Sequence, residues 1–441
     1  MKILFISLGC DKNLVDSEEM LGLLLKEQYE FTDDEAEADI IIINTCCFVN
    51  DAKEESIETI LQMAECKKKG ICKALIVTGC LAQRYKDEII KEIPEVDAVL
   101  GTSSYDSIAK AVEEVLAGKK YELYSSLDRL IVEEDSRVLT TGGYYAYLKI
   151  AEGCNKSCTY CIIPKIRGHY RSIPMEELIS SAENMVKNGA KELILVAQET
   201  TLYGVDIYGK KMLPDLLKRL CNISGLIWIR LLYCYPEEIT DELIEVMKSE
   251  SKICNYIDMP IQHANDRILK LMGRRTNKEE LIRQILKLRA KIPDIVIRTT
   301  LISGFPTETK EEHEELLEFV DEMEFDRLGV FTYSPEEHTK AAEMQGQIEE
   351  ELKEKRRNEV MELQQEIVFE KGEAMTGKTV LVMIEGKLVN ENAYIGRTYM
   401  DAPNVDGNIF VVTDEELLTG DFVKVHITGF QDYDLIGEIA D

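Results

Sequence analysis

The chain has 441 residues, which is enough for two to four domains of ordinary size. Its 52 basic and 82 acidic residues give a net charge of −30, which disfavours nucleic acids and anionic membranes as partners and favours a basic protein. A hydrophobic content of 45% with 10 prolines excludes a disordered chain, and no run of about 18 apolar residues could cross a membrane. Twelve cysteines without a signal sequence lead us to expect a globular cytoplasmic protein with reduced thiols.

Residues 1–120 alternate short apolar runs with helical patterns, which predicts an open, parallel α/β domain. The predicted strands are residues 2–8, 40–43 and 74–77, and the predicted helices are residues 16–27, 52–66 and 81–93. A cysteine follows each of these strands, at Cys10, Cys46 and Cys80. Because the carboxyl ends of parallel strands share one edge of a sheet, these three thiols could meet at one point.

Residues 121–142 are polar and without periodicity, so we expect a linker there. From 143 to 373, six strand patterns alternate with helical patterns, which predicts a partial (βα)6 barrel. The predicted strands are residues 147–151, 192–197, 227–232, 256–259, 295–301 and 328–331. The predicted helices are residues 175–188, 213–220, 237–247, 278–290, 310–323 and 347–371, the last with an apolar stripe that would pack across the barrel.

Residues 375–441 lack helical patterns and predict a small β-barrel. Its predicted strands are residues 379–384, 393–397, 409–413, 422–428 and 435–439. The segment has four basic and twelve acidic residues, a net charge of −8. We expect many of the acidic side chains to stay solvated on turns and strand ends, namely Asp401, Asp406, Asp414, Glu415, Glu416, Asp421, Asp432 and Asp434.

The strongest chemical signal is a CxxxCxxC pattern formed by Cys154, Cys158 and Cys161, in the loop after the first barrel strand. Thiolates at this spacing can hold three corners of an iron–sulfur cube and leave one iron open. The alternative is structural zinc with His169 as fourth ligand. Zinc sites usually contain CxxC pairs and seldom lie at the mouth of a barrel, so the pattern favours iron and sulfur.

This motif resembles that of the radical S-adenosylmethionine superfamily. The resemblance implies that the open iron binds S-adenosylmethionine and that a reduced 4Fe–4S cluster cleaves it to a radical that abstracts hydrogen from an unactivated carbon. It also implies cofactor contacts by Tyr160, against the adenine, by Gln198 and Glu199, after the second barrel strand, and by Gly304, in the turn 303–306. Core packing, strand caps and a tight turn are the structural alternatives for these residues.

The cysteines of the first domain are similar to the second cluster site of the methylthiotransferases in that superfamily. By this resemblance Cys10, Cys46 and Cys80 bind a second 4Fe–4S cluster that takes part in sulfur delivery. We expect the remaining cysteines to be structural, namely Cys47, Cys66, Cys72, Cys221, Cys234 and Cys254. Segments 7–18, 44–49, 79–85, 162–168, 230–233 and 401–403 resemble the branch that modifies a ribosomal protein. Asp11, Cys47 and Thr307 depart from its usual pattern.

The resemblance spans essentially the whole chain and includes a C-terminal module similar to TRAM domains. It implies an enzyme that adds a methylthio group to the β-carbon of an aspartate in the twelfth small-subunit ribosomal protein, with an external electron donor and no catalytic side chain beyond the cluster ligands. An acidic C-terminal module suits a basic protein substrate, whereas an RNA-binding module needs a basic face. A tRNA adenosine methylthiotransferase and a non-enzymatic iron–sulfur scaffold remain as alternatives.

Overall fold

The computed structural model describes residues 1–131, 137–389 and 391–440. Two six-stranded parallel sheets and one closed five-stranded barrel follow one another along the chain. Within these described residues, no helix combines the length and the apolar character that a membrane crossing requires.

The N-terminal sheet is parallel throughout and has helices packed on it. Its strands are β1 (Lys2–Ser7), β2 (Glu30–Thr32), β3 (Ile40–Thr45), β4 (Ala74–Gly79), β5 (Ala98–Leu100) and β6 (Tyr121–Leu123). Its helices are α1 (Asp11–Lys26), α2 (Asn50–Lys68), α3 (Cys80–Arg84), α4 (Lys86–Glu92) and α5 (Ile108–Leu116). The strand order is β2-β1-β3-β4-β5-β6, and the central strands β3 and β4 are buried along their full length. The predicted open α/β domain is confirmed.

Three strands of this sheet lie outside the predicted ones. β2, β5 and β6 have three residues each, too few to show a periodic apolar pattern. β6 falls inside the predicted linker, where Tyr121 pairs with Ala98 of β5, so that segment begins with an edge strand. The helix predicted over 81–93 is two helices, because Tyr85 leaves the helical region with φ −118° and ψ 30°.

The second sheet forms an open barrel. The strands in this part are β7 (Tyr145–Lys149), β8 (Ala151–Glu152), β9 (Arg171–Ser172), β10 (Glu192–Val196), β11 (Trp228–Leu231), β12 (Ile253–Asp258), β13 (Val296–Ser303) and β14 (Arg327–Thr332). β8 and β9 pair only with each other, and the other six form one parallel sheet in the order β7-β10-β11-β12-β13-β14. The sheet is open between β7 and β14, as a partial (βα)6 barrel predicts.

Helices connect the strands of this barrel and pack on it or on the N-terminal domain. They are α6 (Ile163–Arg167), α7 (Met175–Lys187), α8 (Val205–Tyr208), α9 (Leu213–Cys221), α10 (Asp241–Ser249), α11 (Asp266–Leu271), α12 (Lys278–Lys291), α13 (Lys310–Met323) and α14 (Glu350–Glu373). α14 corresponds to the helix predicted over 347–371 and packs against β14, β13 and α13. Its buried face contains Val360 and Ile367 but also Lys353, Arg356 and Gln364, so the stripe is less apolar than predicted.

The C-terminal strands close into a small barrel, as predicted. They are β15 (Thr379–Lys387), β16 (Ala393–Thr398), β17 (Ile409–Val412), β18 (Phe422–Gln431) and β19 (Asp434–Ile439). Their order around the barrel is β15-β16-β17-β19-β18. One apolar cluster joins the core of this barrel to side chains of the larger barrel, including Tyr147, Ile194 and Tyr256.

Buried ion pairs also join the two barrels. Glu192, at the start of β10, is fully buried and accepts hydrogen bonds from Arg230 at 2.7 Å and Arg397 at 2.8 Å. Asp401 is 1% exposed and accepts from Arg327 at 2.5 Å.

The prediction that Asp401 and Asp406 stay solvated is wrong, because each faces an arginine of the larger barrel. Asp406 lies 3.3 Å from Arg298 and accepts a 2.7 Å hydrogen bond from the Tyr256 hydroxyl. Burial raises the pKa of Asp406, and Arg298 opposes that rise. These two carboxylates hold the domain in place and are not available to a substrate.

Candidate active site between two groups of cysteines

Two of the N-terminal cysteines leave their sheet side by side. Thr45 of β3 and Gly79 of β4 are partners in the parallel ladder, so the next residues, Cys46 and Cys80, leave it at the same level. Both cysteines are buried. Burial raises the pKa of each thiol, and the nearby Cys10 raises it further.

Cys10 joins this pair through the tight loop between β1 and α1. Gly9 has φ +93°, and a Cβ there would lie 2.8 Å from the Cys46 sulfur, so only glycine allows this approach. Asn13, in the first turn of α1, ties the loop to β3 with a 2.8 Å hydrogen bond to the Thr45 carbonyl. The three thiols therefore share one edge of the sheet.

Arg167, the last residue of α6, reaches this edge from the barrel domain. It is 2% exposed, and its Nη2 lies 3.4 Å from the Cys80 sulfur and donates to Asn13 Oδ1. Its Nη1 donates to Asp16 at 2.6 Å and to Glu152 at 3.1 Å. A guanidinium beside a thiol favours the thiolate form, so three thiols with this cation suit an iron–sulfur cluster held by thiolates.

The second group, Cys154, Cys158 and Cys161, lies in the loop between β8 and α6. Burial is the main cause that raises the pKa of Cys154, to about 11, and Cys158 adds to the rise. Burial also raises the pKa of Cys161, and both other thiols of the motif raise it further. The CxxxCxxC residues therefore form a second compact set of thiols, at the end of the barrel where strands finish.

Close backbone contacts hold this loop in place. Gly153 has φ +78°, and a Cβ there would lie 2.1 Å from the His169 carbonyl oxygen. Thr159 donates to the Met272 carbonyl through its N–H at 2.9 Å and to the Leu271 carbonyl through its hydroxyl at 2.7 Å. The positions of the motif cysteines are thus fixed by His169 and by Leu271 and Met272, which lie later in the barrel sequence.

The zinc alternative receives no support from His169. Its side chain is exposed, and its Nδ1 lies 2.8 Å from Asp128 rather than at the cysteines. Across residues 1–131, 137–389 and 391–440, no three His, Cys, Asp or Glu side chains are arranged around a single metal ion.

Gln198 and Glu199 follow β10 and present buried oxygens without hydrogen-bond donors. Gln198 donates to Glu152 at 2.7 Å, but its Oε1 has no partner. Glu199 accepts from the Thr201 hydroxyl at 2.5 Å through Oε1, and its Oε2 accepts no hydrogen bond although Lys156 lies 3.7 Å away. Buried acceptors normally have donors. These two oxygens fit a ligand that brings ammonium or hydroxyl donors, as S-adenosylmethionine does.

Burial raises the pKa of Glu199 to about 7, and Lys156 opposes that rise. Tyr160 is half-buried and packs against a small apolar cluster that includes Met272, Phe305 and Tyr333. This contact is the core packing expected as the alternative role of Tyr160. A contact of Tyr160 with adenine stays a prediction.

The backbone and the neighbours of Gly304 explain why a glycine stands at this position. It has φ +73°, and a Cβ there would lie 2.3 Å from Lys353 Cγ of α14. Its N–H donates to Glu308 at 3.0 Å. Thr307, where the family often has glycine, has φ +69°, a conformation that costs on the order of 1 kcal/mol for a residue with a side chain. A cofactor contact by Gly304 stays a prediction.

The cysteines predicted to be structural are all buried in the protein as free thiols: Cys47, Cys66, Cys72, Cys221, Cys234 and Cys254. Burial raises the pKa of Cys47 to about 12, and Arg84 opposes that rise. Cys47 nevertheless lies close enough to Cys80 to raise the pKa of that thiol.

Two tyrosines that the sequence did not mark as site residues connect the two cysteine groups. The Tyr235 hydroxyl lies 4.0 Å from the Cys158 sulfur, and the Tyr233 hydroxyl donates to Asp11 at 3.1 Å. Asp11 is the neighbour of Cys10 in the chain. Both tyrosines follow β11, so one strand end contacts both sites. In the sequence, their position directly after a predicted barrel strand was the feature that could have identified them.

Comparisons with known proteins agree with this arrangement. The Radical SAM superfamily model matches residues 148–320, the Uncharacterized protein family UPF0004 model matches residues 2–101 and the TRAM domain model matches residues 376–440. The fold and the CxxxCxxC loop define a radical S-adenosylmethionine enzyme, a class that uses an iron–sulfur cluster and S-adenosylmethionine.

The chain is 64% identical over 437 residues to "Ribosomal protein uS12 methylthiotransferase RimO" of Lachnoclostridium phytofermentans. This match covers 99% of each of the two chains. The chain is 53% identical over 445 residues to the protein of the same name in Acetivibrio thermocellus, covering 99% of this chain and 98% of the relative. The chain belongs to the RimO family of radical S-adenosylmethionine methylthiotransferases.

Solved structures share the fold at low sequence identity. The radical S-adenosylmethionine methyltransferase TsrM from Kitasatospora setae superposes with a TM-score of 0.56 at 12% identity, covering 77% of this chain and 76% of TsrM. The cobalamin-dependent radical enzyme OxsB superposes with a TM-score of 0.53 at 14% identity, covering 82% of this chain and 56% of OxsB.

Proposed function

We propose that the protein adds a methylthio group to the β-carbon of an aspartate in ribosomal protein uS12. The observation that carries this proposal is the end of β11, where Tyr235 lies beside Cys158 and Tyr233 contacts the loop of Cys10. One strand end that contacts both cysteine groups suits a reaction that needs both a radical and a sulfur donor at the same carbon.

Each cysteine group would hold one 4Fe–4S cluster, two in all. Cys154, Cys158 and Cys161 would bind the cluster whose open iron takes S-adenosylmethionine, and Cys10, Cys46 and Cys80 would bind the second. When bound, these groups would supply three things: an electron relayed from an external donor, a radical from S-adenosylmethionine, and the sulfur that is transferred. A cytoplasmic location suits this chemistry, because uS12 is made there and thiols stay reduced.

The chain's own side chains bind and orient these groups. Glu199 and Gln198 offer acceptor oxygens toward S-adenosylmethionine, and Tyr160 offers an aromatic face for the adenine. Arg167 favours the thiolate of Cys80 and ties it to the loop that follows the CxxxCxxC motif.

Charge supports a basic protein rather than tRNA as substrate. In the C-terminal barrel, Arg397 is buried against Glu192, which leaves three exposed lysines and no stripe of basic residues in the described part of the domain. Several acidic side chains are exposed instead, among them Asp414, Glu415, Glu416 and Asp432. Such a surface attracts the basic uS12 and repels phosphates.

Anaerobic reconstitution of cysteine variants tests this function. Replacement of Cys154, Cys158 and Cys161 by alanine should remove one cluster and all cleavage of S-adenosylmethionine. Replacement of Cys10, Cys46 and Cys80 should remove the other cluster and stop methylthio transfer, while 5′-deoxyadenosine still forms. Cys221→Ala, which changes a buried cysteine outside both groups, is the matched control.

The measurements are iron content, electron paramagnetic resonance, chromatography of 5′-deoxyadenosine and mass spectrometry of uS12. Modification of an anticodon stem-loop instead of uS12 would support the tRNA alternative. Two clusters without cleavage of S-adenosylmethionine would support the scaffold, and a single cluster would contradict the assignment of Cys10, Cys46 and Cys80.

A further inference from the structure

Lys12 is a buried basic residue with no ion-pair partner among the residues that the structure describes. It lies in the first turn of α1, two residues after Cys10, and is 7% exposed. Among the described residues no carboxylate lies within ion-pair distance of its ammonium group, whose one contact of note is the ring of Tyr233, with Nζ 3.3 Å from the ring centroid. Buried lysines are nearly always paired, so this one has an unused capacity for an anion.

The carboxylates near Tyr233 are already held by other donors. Asp258 accepts the Tyr233 N–H at 2.9 Å and an Arg298 guanidinium N–H at 2.9 Å. Asp11 accepts the Tyr233 hydroxyl at 3.1 Å. These contacts keep both carboxylates in place and leave the Lys12 ammonium available to a ligand.

Tyr233 has an unusual backbone that fits a role at this position. Its φ is +60°, a left-handed conformation that a bulky residue rarely adopts. The contacts with Asp258 and Asp11 stabilise that conformation and hold the tyrosine ring beneath the Lys12 ammonium. The backbone geometry thus maintains a fixed platform for the cation.

Lys12 lies near both cysteine groups, through Cys10 in the chain and through the tyrosines after β11. Cys10 precedes it by two residues, and Tyr235, two residues beyond Tyr233, reaches the Cys158 sulfur. A ligand held at Lys12 therefore lies beside the strand end that contacts both groups. The first turn of α1 also presents free backbone N–H groups, which favour a carboxylate.

We propose that Lys12 binds the side-chain carboxylate of the target residue and so selects aspartate as the substrate. This inference rests on the proposed function, in which the reacting carbon is the β-carbon next to that carboxylate. A charged ammonium group matches an aspartate, whereas an adenine base presents no negative charge to it. The carboxylate contact holds the β-carbon near the two cysteine groups.

The test compares binding of two substrates by reconstituted enzyme variants under anaerobic conditions. The substrates are purified uS12 and its variant with asparagine at the target position. The enzyme variants are Lys12→Met, which keeps most of the length of the side chain but removes the charge, and Lys12→Arg, which keeps the charge. Lys91→Met is the matched control, because Lys91 is exposed on α4. Iron content and melting temperature confirm that each variant is folded and loaded.

Wild-type enzyme should bind uS12 roughly ten- to hundredfold more tightly than the asparagine variant, because a hydrogen bond to a charged group is lost. Lys12→Met should bind both substrates with equal, weak affinity, and Lys12→Arg and Lys91→Met should retain the preference. A preference that persists in Lys12→Met overturns the inference. Equal losses for both substrates, with a lower melting temperature, also overturn it, since the lysine then acts by packing. Failure of wild-type enzyme to bind or modify uS12 would instead contradict the proposed function.

Discussion

Replacing Arg167 with methionine tests whether one buried cation links the two cysteine groups. Arg167 donates to Asp16, Glu152 and Asn13 and faces the Cys80 sulfur. Breaking a buried ion pair typically costs 3–5 kcal/mol, because it leaves a charge without a partner in a poorly solvated site.

Here the two carboxylates keep other partners, which places the expected cost at the lower end. Asp16 still accepts from Lys149 at 2.5 Å, and Glu152 still accepts from Gln198 at 2.7 Å. We therefore expect Arg167→Met to lower the free energy of unfolding by about 3 kcal/mol. In the reconstituted enzyme, loss of the positive charge beside Cys80 should also lower the reduction potential of the cluster proposed at Cys10, Cys46 and Cys80, because the reduced cluster carries one more negative charge.

Urea denaturation of the cluster-free protein measures the first effect, and a redox titration followed by electron paramagnetic resonance measures the second. Arg129→Met is the control: Arg129 is 43% exposed and pairs with Asp106, so its loss should cost less than about 1 kcal/mol. Arg167→Lys should restore part of the potential, since it keeps the charge. Unchanged stability and an unchanged potential in Arg167→Met would refute the idea that this arginine couples the domains.

Two further predictions concern charge and pH. Asp401→Asn should destabilise the contact between the barrels and lower the melting temperature. The double change Glu415→Gln and Glu416→Gln should leave the melting temperature unchanged but slow association with uS12 at low salt only. Stopped-flow binding at two salt concentrations measures this association. Burial raises the pKa of Glu199 to about 7, so the folded protein holds a proton that the unfolded chain has lost, and stability should fall as pH rises from about 5 to 7. Glu199→Gln should remove this fall of stability with pH. If urea denaturation gave the same pH dependence for the wild-type protein and the variant, Glu199 would not be its cause.

Long, strongly patterned elements were predictable from the sequence. β3 and β4 contain continuous apolar runs because helices cover both faces of their sheet. The three-residue strands β2, β5 and β6 carry no such pattern, since their place in the sheet comes from parallel pairing with longer neighbours.

Charges were counted correctly in the sequence but could not be assigned to partners. The arginines that neutralise Asp401 and Asp406 lie far earlier in the chain, on β14 and β13. Only the docking of one domain on another brings them together. The prediction that acidic side chains on turns remain solvated therefore holds for Glu415 and Glu416, which face no such partner domain.

The cysteine groups could be found because each cysteine has a position relative to a predicted strand or a fixed motif spacing. Lys12 had no such signal. The helix predicted to begin at residue 16 begins at Asp11, so Lys12 belongs to a helical first turn rather than to a loop. The Tyr233 ring, which its ammonium group contacts, belongs to another domain, and this contact exists only in the folded protein.

The contact between the two barrels explains why an acidic C-terminal domain can be both anchored and free to bind a basic protein. Its anchoring side uses Arg397 and the carboxylates of Asp401 and Asp406, each paired with a charge of the larger barrel. These pairs consume the one arginine of the domain, and Asp421, which lies 3.8 Å from Lys191, is a third of its twelve acidic residues paired across the contact. The surface that remains keeps an excess of negative charge, which fits the proposed binding of the basic uS12 better than binding of RNA.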